Sequence, residues 1–398
     1  MKSGLLGRKL GHSYSPQIHA HLGDYSYELF EREPEDVEDF LKNGDFHAIN
    51  VTIPYKKTVM PYCKLTETAK YMGSVNTIIR QPDGSLLGHN TDYFGFTDLV
   101  RRSGLSPKGK KCLVLGSGGA SVTAVAVLKE MGANVVVISR SGENNYDNLH
   151  LHQDASIICN TTPVGMYPNC EEKPIDIACF PQLEGVIDAI YNPLRTNLIL
   201  DARKRGLKAE GGLYMLVMQA VVAVEHFLET SIPKETADRV FAEIFSTKEN
   251  IVLTGMPGSG KSTVGKLLNV DGFTFVDTDA EVEKRCGCSI KELMAAKGEK
   301  YFRDLETEVI RETSTQSGQI IATGGGAILR EENVRYLNRN GKLFFLDAEL
   351  QRLQATDDRP LSDTAEKLKH LYAERIGIYR SSAHVTVPDL GDAAKEAQ

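Results

Sequence analysis

Residues 251–262, IVLTGMPGSGKS, join a short apolar run to a glycine-rich turn. From Gly255 to Ser262 the turn has the spacing G-x-x-x-x-G-K-S, and a helical pattern follows at 263–268. In such a loop the glycines let backbone amides close around phosphate oxygens, while the lysine adds positive charge and the hydroxyl can bind Mg²⁺. The stretch therefore predicts a strand, a phosphate-binding loop and a helix that together bind ATP. The predicted nucleotide contacts are Gly258, Ser259, Gly260, Lys261, Ser262 and Thr263.

A second glycine-rich turn, GSGGAS at 116–121, follows another apolar run at 112–115. It approaches the dinucleotide pattern G-x-G-x-x-G/A, although Ser121 takes the sixth position. The next apolar run, 135–138, is followed by Ser-Arg-Ser at 139–141. An NAD site favours an acidic residue at this point, whereas a cation and hydroxyls suit a 2′-phosphate. The turn therefore predicts NADP, bound through Gly116, Gly118, Gly119, Ala120, Ser139 and Arg140.

Short apolar runs alternate with helical patterns along the whole chain, for example at 251–253 and 343–346. Unbroken runs of this kind are typical of parallel strands that helices cover on both faces. The fold class is therefore α/β. A length of 398 residues predicts two or three domains. A helical pattern ends at Phe245 and a strand begins at Ile251, so we place a short linker at 246–250.

The bulk composition indicates a soluble enzyme rather than a nucleic-acid or membrane protein. Hydrophobic residues make up 41% and charged residues 25%, the net charge is −7, and no long basic run occurs. The N-terminus has no apolar segment of signal-peptide length. Seven cysteines, without a C-x-x-C pair, predict reduced thiols and a cytoplasmic location. Cys286-x-Cys288 has no neighbouring histidine or cysteine, so we do not predict a metal there.

Residues 250 to 390 resemble shikimate kinase. Asp277-Thr278-Asp279 follows the strand-like run at 273–276. The resemblance implies that Asp277 serves magnesium and that Asp279 grips the ring hydroxyls of the acceptor. It further implies substrate contacts at Arg303, Gly325, Gly326 and Arg375, a catalytic lid arginine at Arg359, and an adenine contact at Arg352. Guanidinium groups suit a carboxylate because they present a rigid fork of donors.

The first 245 residues resemble shikimate dehydrogenase. Four motifs carry the resemblance: GHSYSP at 11–16, NVTIPYKK at 50–57, SVNT at 74–77 and GHNTD at 88–92. They imply that Lys56 and Asp92 form the catalytic pair and that Ser13 and Ser15 hold the substrate carboxylate. Further implied substrate contacts are Thr52, Asn76, Asn90, Tyr191 and Gln219, and Gly212 joins the cofactor-binding residues.

Ketone reduction needs a proton on oxygen as well as a hydride on carbon. A positioned Lys56 can supply that proton while Asp92 orients it, which is typically worth about 10² to 10⁴ in rate. The sequence departs from the family in places: 141–156 is shorter by roughly a helix and a strand, which we expect to open the adenosine side of the cleft, and Gly377-Ile378 replaces Pro-Leu. The closing helix after Asp389 also looks truncated.

Together the two resemblances predict a bifunctional fusion. Residues 1–90 form the dehydrogenase substrate domain, completed by helices of 213–246; residues 91–212 form a Rossmann-type NADP domain; residues 248–398 form the P-loop kinase domain. The implied reactions are NADPH-dependent reduction of 3-dehydroshikimate to shikimate and its ATP- and magnesium-dependent phosphorylation to shikimate 3-phosphate. Both belong to aromatic amino acid biosynthesis. The expected partners are these small molecules, without nucleic acid or membrane, and the oligomeric state is left open.

Two other hypotheses use the same motifs. One is a quinate-type dehydrogenase joined to a gluconate-like or nucleotide kinase, against which Ser13, Ser15 and the two arginines argue. The other is a metabolite sensor or scaffold that has lost catalysis, which should lack Lys56, Asp92, Lys261 or Asp277, all of which are present. Fusion could fix the ratio of the activities or raise local shikimate concentration between sites, and direct transfer rests only on the short linker.

Overall fold

The computed structural model describes residues 1–11, 13–353 and 364–388. The chain forms two compact units, Met1–Phe245 and Ser246–Gln398. Within the described residues, no helix has both the length and the apolar composition that crossing a bilayer requires.

The first unit contains two sheets. The first sheet is mixed, with strand order β2-β1-β3-β5-β6-β4, and its strands are β1 Lys2–Gly7, β2 Ser26–Glu31, β3 Ala48–Val51, β4 Lys64–Leu65, β5 Thr77–Arg80 and β6 Leu86–His89. Strand β5 runs antiparallel to both β3 and β6, so β3 and β6 point in the same direction. Their C-terminal ends therefore open on the same edge of the sheet.

The second sheet of this unit is entirely parallel, with order β11-β10-β9-β7-β8. Its strands are β7 Lys111–Leu115, β8 Asn134–Ile138, β9 Ile157–Asn160, β10 Gly185–Asp188 and β11 Lys208–Glu210. The order reverses between β7 and β9, and the crevice outside such a reversal is where doubly wound sheets bind ligands. The glycine-rich turn that follows β7 lies at this crevice.

Strand β8 differs from its sequence prediction as a fully buried strand, because it lies at the sheet edge and is only partly buried. The chain after it forms a 3₁₀ helix, Tyr146–His152, which a capping box at Asn145 begins. It returns directly to β9 and adds no further strand beside β8. The brevity of 141–156 thus explains a five-stranded sheet with one half-exposed edge.

Helices cover both sheets. They are α1 Ser15–Leu22, α2 Val37–Asn43, α3 Glu67–Met72, α4 Asp92–Ser103, α5 Gly119–Glu130, α6 Asn197–Lys204, α7 Leu213–Leu228 and α8 Lys234–Lys248. Helices α4 and α7 pack against each other, and their apolar faces share one core with residues of β7 and β9. The sequence predicted that the last helix would end at Phe245, but α8 continues to Lys248, so most of the predicted linker is helical.

The second unit has one parallel sheet, with order β13-β14-β12-β15-β16. Its strands are β12 Asn250–Thr254, β13 Thr274–Asp277, β14 Gln319–Ala322, β15 Gly341–Asp347 and β16 Val385–Pro388. Its helices are α9 Lys261–Leu267, α10 Thr278–Cys286, α11 Ile290–Thr313, α12 Glu331–Asn340 and α13 Ala365–Ser382. The predicted α/β class with parallel sheets is confirmed. Shorter 3₁₀ turns lie at Pro34–Asp36, Met60–Tyr62, Ile177–Cys179, Ala327–Leu329 and Leu350–Arg352.

Candidate active sites

A lysine and a carboxylate meet beside the first sheet. Lys56 follows β3 and Asp92 follows β6, so both lie just beyond the C-terminal ends of strands that run in the same direction. The Lys56 Nζ donates to Asp92 Oδ2 across 2.5 Å. The two side chains keep 29% and 16% of their surface exposed. The pair is therefore fixed by its own ion pair and still accessible to a substrate.

Asn76 holds the other oxygen of the carboxylate. Its side-chain amide donates to Asp92 Oδ1 at 2.9 Å and to Thr91 Oγ1 at 3.0 Å, and its carbonyl oxygen accepts from the Thr91 backbone amide at 2.7 Å. The sequence predicted Asn76 as a ring contact, but both amide hydrogens are used inside the protein. We infer that Asn76 positions Asp92, which in turn orients Lys56.

Further hydrogen bonds extend this network to the far strand of the sheet. The Tyr27 hydroxyl donates to Asn50 Oδ1 at 2.8 Å, and the Asn50 amide donates to Thr77 Oγ1 at 3.1 Å. Thr77 Oγ1 then donates to Asn76 Oδ1 at 3.1 Å. Tyr27, Asn50 and Thr77 were not predicted as site residues, although Asn50 and Thr77 lie in the motifs at 50–57 and 74–77. The feature that could have identified Asn50 and Thr77 is a polar residue at a strand position where a buried strand normally has an apolar one.

The two serines of the opening motif lie at the start of α1. The Ser15 backbone amide donates to Ser13 Oγ at 3.2 Å, which ties the two residues into one turn. Burial raises the pKa of Tyr27, and a hydrogen bond with Ser15 opposes this shift. Tyr27 thus connects the serine turn to the network behind Asp92. Tyr191 reaches the same turn, because its ring packs edge-on against Tyr14 with centroids 5.3 Å apart.

The remaining predicted substrate contacts are placed less directly. Asn90 donates both amide hydrogens to Ser74, at 3.1 Å to its carbonyl and 2.9 Å to its hydroxyl. Gln219, on α7, donates to the Leu216 carbonyl at 2.8 Å. Thr52 is half-buried directly after β3. The amide hydrogens of Asn90 and Gln219 that bond inside the protein are not available to a ligand in this arrangement. These side chains could contact a ligand through their oxygens or after rotating.

The turn after β7 fits a dinucleotide. A Cβ at Gly116 would lie 3.0 Å from Thr161 Oγ1, and φ there is +106°, so only glycine suits this position. Gly118 caps α5 with extended backbone, and Cβ positions at Gly118 and Gly119 meet nothing within 4 Å. The exposed N-terminus of α5 with the neighbouring threonine after β9 makes a cradle for a pyrophosphate.

The other predicted cofactor residues flank this turn. Arg140 is exposed after β8, and its charge acts on the partly buried Tyr146 hydroxyl, whose pKa burial raises. Ser139 donates its backbone amide to the Asn144 carbonyl, which folds the segment back on itself. Gly212 starts α7 so close to β10 that a Cβ there would lie 2.1 Å from the Ala189 carbonyl oxygen. Its role is close packing of the helix against the strand end.

In the second unit, the loop between β12 and α9 has its lysine folded over it. Lys261 is buried, and its Nζ donates to the carbonyls of Gly255 at 2.8 Å and Met256 at 2.9 Å. The ammonium group is thus held above the loop amides of 258–260. This arrangement fits a polyphosphate, because Lys261 could exchange its bonds to carbonyl oxygens for bonds to negatively charged phosphate oxygens.

Two oxygen ligands meet beside this loop. The Ser262 hydroxyl donates to Asp277 Oδ2 at 2.5 Å, while Asp277 Oδ1 accepts from the backbone amides of Asp279 at 3.0 Å and Ala280 at 3.4 Å. One carboxylate oxygen is thereby fixed as the cap of α10, and the other points to the hydroxyl. Hard oxygen ligands next to a phosphate loop are what Mg²⁺ prefers, so both predicted metal residues fit the ion.

Asp279 and Glu306 form an acidic pair around Gly324, the first of three consecutive glycines at 324–326. A Cβ at Gly324 would lie 2.5 Å from Asp279 Oδ1 and from Glu306 Oε1, so these oxygens are no further apart than twice that distance. Within the described part of the chain, neither oxygen has a hydrogen-bond partner. Burial, then the charges of Glu306 and Asp277, raise the pKa of Asp279 to about 7. The carboxyl is therefore near the point of exchanging a proton at neutral pH.

Two guanidinium groups border the same glycines. Arg303 donates to Glu306 Oε2 at 2.8 Å, and a Cβ at Gly326 would lie 2.3 Å from its nitrogens. Arg375 donates to the Gly325 carbonyl at 3.1 Å. Burial, and after it the charge of Arg303, lower the pKa of Arg375. Because the two buried guanidinium groups repel each other, binding of an anion between them is favourable.

Several further residues complete or limit this picture. The Tyr379 hydroxyl also donates to the Gly325 carbonyl, and its ring stacks on Phe345 with centroids 5.1 Å apart. Tyr379-Arg380 lies near the position that the kinase resemblance implies, whereas Glu306 was not predicted from the sequence, although it follows Arg303 by three positions on one helix. Arg352 ends a 3₁₀ turn after β15, at some distance in sequence from the glycines. Arg359 lies outside the described residues.

The two sites define an NADP-type dehydrogenase joined to a P-loop kinase. Comparisons with known families agree with both halves. A model described as "Shikimate dehydrogenase substrate binding domain" matches residues 5–78, and one described as "Shikimate kinase" matches residues 257–397. The predicted fusion of the two families is confirmed.

The first unit aligns with nearly the whole length of its relatives. A shikimate dehydrogenase (NADP(+)) of Clostridium perfringens strain 13 is 34% identical over 264 residues, which is 61% of this chain and 97% of the relative. A solved chorismate mutase/shikimate 5-dehydrogenase fusion protein from Clostridium acetobutylicum is 36% identical, with TM-score 0.58, and covers 61% of this chain and 96% of that one. The shikimate 5-dehydrogenase of Thermus thermophilus, solved with NADP(H) and shikimate, is 28% identical, with TM-score 0.56 over 61% and 99%. The chain belongs to the shikimate dehydrogenase family and carries a C-terminal shikimate kinase domain.

Proposed function

We propose that the chain is a bifunctional enzyme that reduces 3-dehydroshikimate to shikimate with NADPH and then phosphorylates shikimate with ATP. The observation that carries the proposal is that two separate sites each suit one carboxylated, hydroxylated ring. The first offers the Lys56–Asp92 pair beside hydroxyl groups. The second offers the Arg303 and Arg375 guanidinium groups beside the Asp279 carboxyl.

In the first site, Lys56 donates the proton that the ketone oxygen needs, and Asp92 holds its ammonium group in place. Asn76 and Thr91 keep Asp92 from turning away. Ser13 and Ser15 bind the carboxylate through their hydroxyls. The turn at 116–120 with Ser139, Arg140 and Gly212 would hold NADPH, which supplies the hydride when bound. Thr52, Asn90, Tyr191 and Gln219 line the same cleft in this proposal.

In the second site, Arg303 and Arg375 clamp the carboxylate of shikimate, and Gly325 and Gly326 admit its ring against backbone. Asp279, with its pKa near 7, accepts the proton of the attacking hydroxyl. Lys261 holds the phosphates, and Ser262 and Asp277 would bind Mg²⁺, which neutralises their charge. Arg359 as lid residue and Arg352 as adenine contact remain parts of this proposal.

The domain assignment follows the same logic. We assign residues 1–90 with helices of 213–246 to substrate binding, 91–212 to NADP binding and 248–398 to the kinase. A cytoplasmic location also belongs to the proposal, supported by seven cysteines, none of which forms a disulfide bond in the part of the chain that the structure describes. We propose small-molecule substrates as the partners, without nucleic acid or membrane.

Purified full-length protein tests the proposal in two assays. NADPH absorbance should fall when 3-dehydroshikimate is added, and ADP should be released when shikimate and ATP–Mg²⁺ are added. With NADPH, 3-dehydroquinate, the ketone that corresponds to quinate, should turn over far more slowly at the first site, and so should gluconate with ATP at the second. Preference for either alternative, or no turnover of the shikimate compounds, would contradict the proposal.

A further inference from the structure

Two cysteines at the junction of α10 and α11 lie close enough to react with each other. Cys286 ends α10, and Cys288 directly precedes Ser289, which caps α11. The Cys288 thiol donates to Cys286 Sγ with the sulfurs 3.5 Å apart. Both side chains are partly exposed. The pair thus combines short separation with access for a small reagent.

The local backbone keeps the two thiols together. Cys286 Sγ lies 3.5 Å from the Glu283 carbonyl and 3.2 Å from the Cys288 carbonyl, so it stays over the end of α10. The Glu283 side chain accepts from the Ile290 backbone amide at 3.0 Å, which links the end of one helix to the start of the next. To form a disulfide bond, the two sulfurs must close from 3.5 Å to roughly 2 Å.

The other cysteines do not share these properties. Cys112 and Cys159 lie on the neighbouring strands β7 and β9 and are fully buried, and burial raises the pKa of both thiols. Cys179 is exposed on a 3₁₀ turn of the first unit. Dithiol chemistry at an accessible position is therefore expected at Cys286 and Cys288 before any other pair.

We propose that Cys286 and Cys288 form a redox-active dithiol that closes to a disulfide by exchange with a small-molecule disulfide. The Cys286 thiolate attacks the oxidant and releases one thiol, and the Cys288 thiolate then displaces the second thiol from the mixed disulfide. Two protein thiols become one disulfide, and the disulfide of the oxidant becomes two thiols, so electrons and protons balance. The Cys288 thiol donates to Cys286 Sγ, and this hydrogen bond stabilises a thiolate at Cys286, so Cys286 attacks first.

The dithiol is packed against the acceptor side of the kinase. Cys286 and Cys288 contact an apolar cluster that contains Val282 of α10 and Phe302 of α11. Phe302 directly precedes Arg303, and α10 begins beside Asp279. Because interiors are closely packed, closing the disulfide shifts this cluster and with it the residues that grip the acceptor. This second step rests on the proposed kinase function.

The experiment uses the full-length protein, first reduced and then incubated with oxidised glutathione. Peptide mapping should join Cys286 to Cys288, and the peptide that contains both should be lighter by the mass of two hydrogen atoms. Cys286→Ser and Cys288→Ser, as matched controls, should instead gain a glutathione adduct at the remaining thiol. The KM for shikimate in the kinase assay should rise about 2- to 30-fold on oxidation and return with a dithiol reductant. Dehydrogenase activity should stay unchanged.

Each result bears on one step. Retention of both thiols, or two separate glutathione adducts in the wild type, overturns the dithiol assignment. A disulfide that forms without changing the KM for shikimate overturns the coupling to the acceptor site. Kinase activity of the reduced protein is measured beforehand, so failure of the proposed function appears as no activity before any oxidation.

Discussion

The two sites of this chain solve the same recognition problem in opposite ways. In the dehydrogenase, the groups that act on the substrate already satisfy one another: both carboxylate oxygens of Asp92 accept hydrogen bonds, from Lys56 and from Asn76. In the kinase, within the residues that the structure describes, one oxygen each of Asp279 and Glu306 accepts none. The first site is thus preorganised by the protein, whereas the second gains favourable partners when a ligand binds.

The difference extends to the charges. Hydroxyl groups of the serine turn face the substrate carboxylate in the first proposal, while Arg303 and Arg375 repel one another in the second. Neutral donors add little electrostatic cost when a site is free, but buried like charges destabilise it. Affinity for the carboxylate should therefore be larger, and more dependent on charge, in the kinase.

The largest expected effect breaks the first site alone. Lys56→Ala removes the proton donor and should reduce dehydrogenase kcat by about 10² to 10⁴. Phosphorylation of shikimate by the same preparation should stay near the wild-type rate, which controls for folding. Loss of both activities would indicate misfolding or a shared site, and dehydrogenase kcat within a fewfold of wild type would contradict the role given to Lys56.

The reciprocal change breaks the second site. Lys261→Ala removes the buried ammonium group over the loop and should reduce kinase kcat by about 10² to 10³. ADP release with shikimate measures this effect, and NADPH oxidation with 3-dehydroshikimate serves as the control. Kinase activity within a fewfold of wild type would contradict the role given to this lysine.

A buried carboxyl in the first unit sharpens the comparison with Asp279. Asp188 accepts from Thr196 at 2.6 Å and from Asn160 and the Ile190 amide at 3.0 Å, yet burial still raises its pKa to about 7. Since this exceeds the ordinary value of 3.8, the associated stability is complete below about pH 4 and lost as pH rises through 7.

In the wild type, the unfolding free energy should therefore decline by up to about 4 kcal/mol between about pH 4 and pH 8 because of Asp188. Asp188→Asn should abolish this decline. Thermal or denaturant unfolding of wild type and variant across this range measures the difference. Asp154→Asn, at an exposed carboxyl, is the matched control and should leave the decline in place. Parallel pH profiles for Asp188→Asn and wild type would contradict the assignment.

The smallest expected effect tests the network behind the first site. Tyr27→Phe removes the hydroxyl that bonds to Asn50 and Ser15, and should raise the dehydrogenase KM for shikimate by up to about tenfold. Tyr62→Phe also deletes one hydroxyl, but this one bonds to the exposed carboxylate of Glu38 at 3.0 Å and not to the network. Equal KM values for the two variants would remove Tyr27 from the positioning role.

The sequence predicted the fold class, both glycine-rich turns and the Lys56–Asp92 pair, because these depend on local patterns that recur at fixed spacing. It could not predict that β8 would be a half-exposed edge, since this follows from how 146–152 folds. The contact of the Asn76 amide with Asp92 also required the structure, because it depends on the long-range pairing of β5 with β6, and the substrate contact of Asn76 stays a prediction.

Residues that act through other residues were the hardest to find. Tyr27, Thr77 and Glu306 carry no motif of their own, and their importance depends on which groups surround them in three dimensions. The closeness of Cys286 to Cys288 also required the structure, because C-x-C spacing alone does not say on which side of the turn the sulfurs lie.

The most direct test of the central contrast compares shikimate with its methyl ester as substrate for each site. The ester keeps the ring and hydroxyls but removes the negative charge. For the kinase, kcat/KM should fall by about a hundredfold or more, because charge-assisted bonds to two guanidinium groups are lost; for NADP⁺-dependent oxidation it should fall by only about tenfold. Equal losses in the two reactions, or a larger loss in the dehydrogenase, would contradict the account.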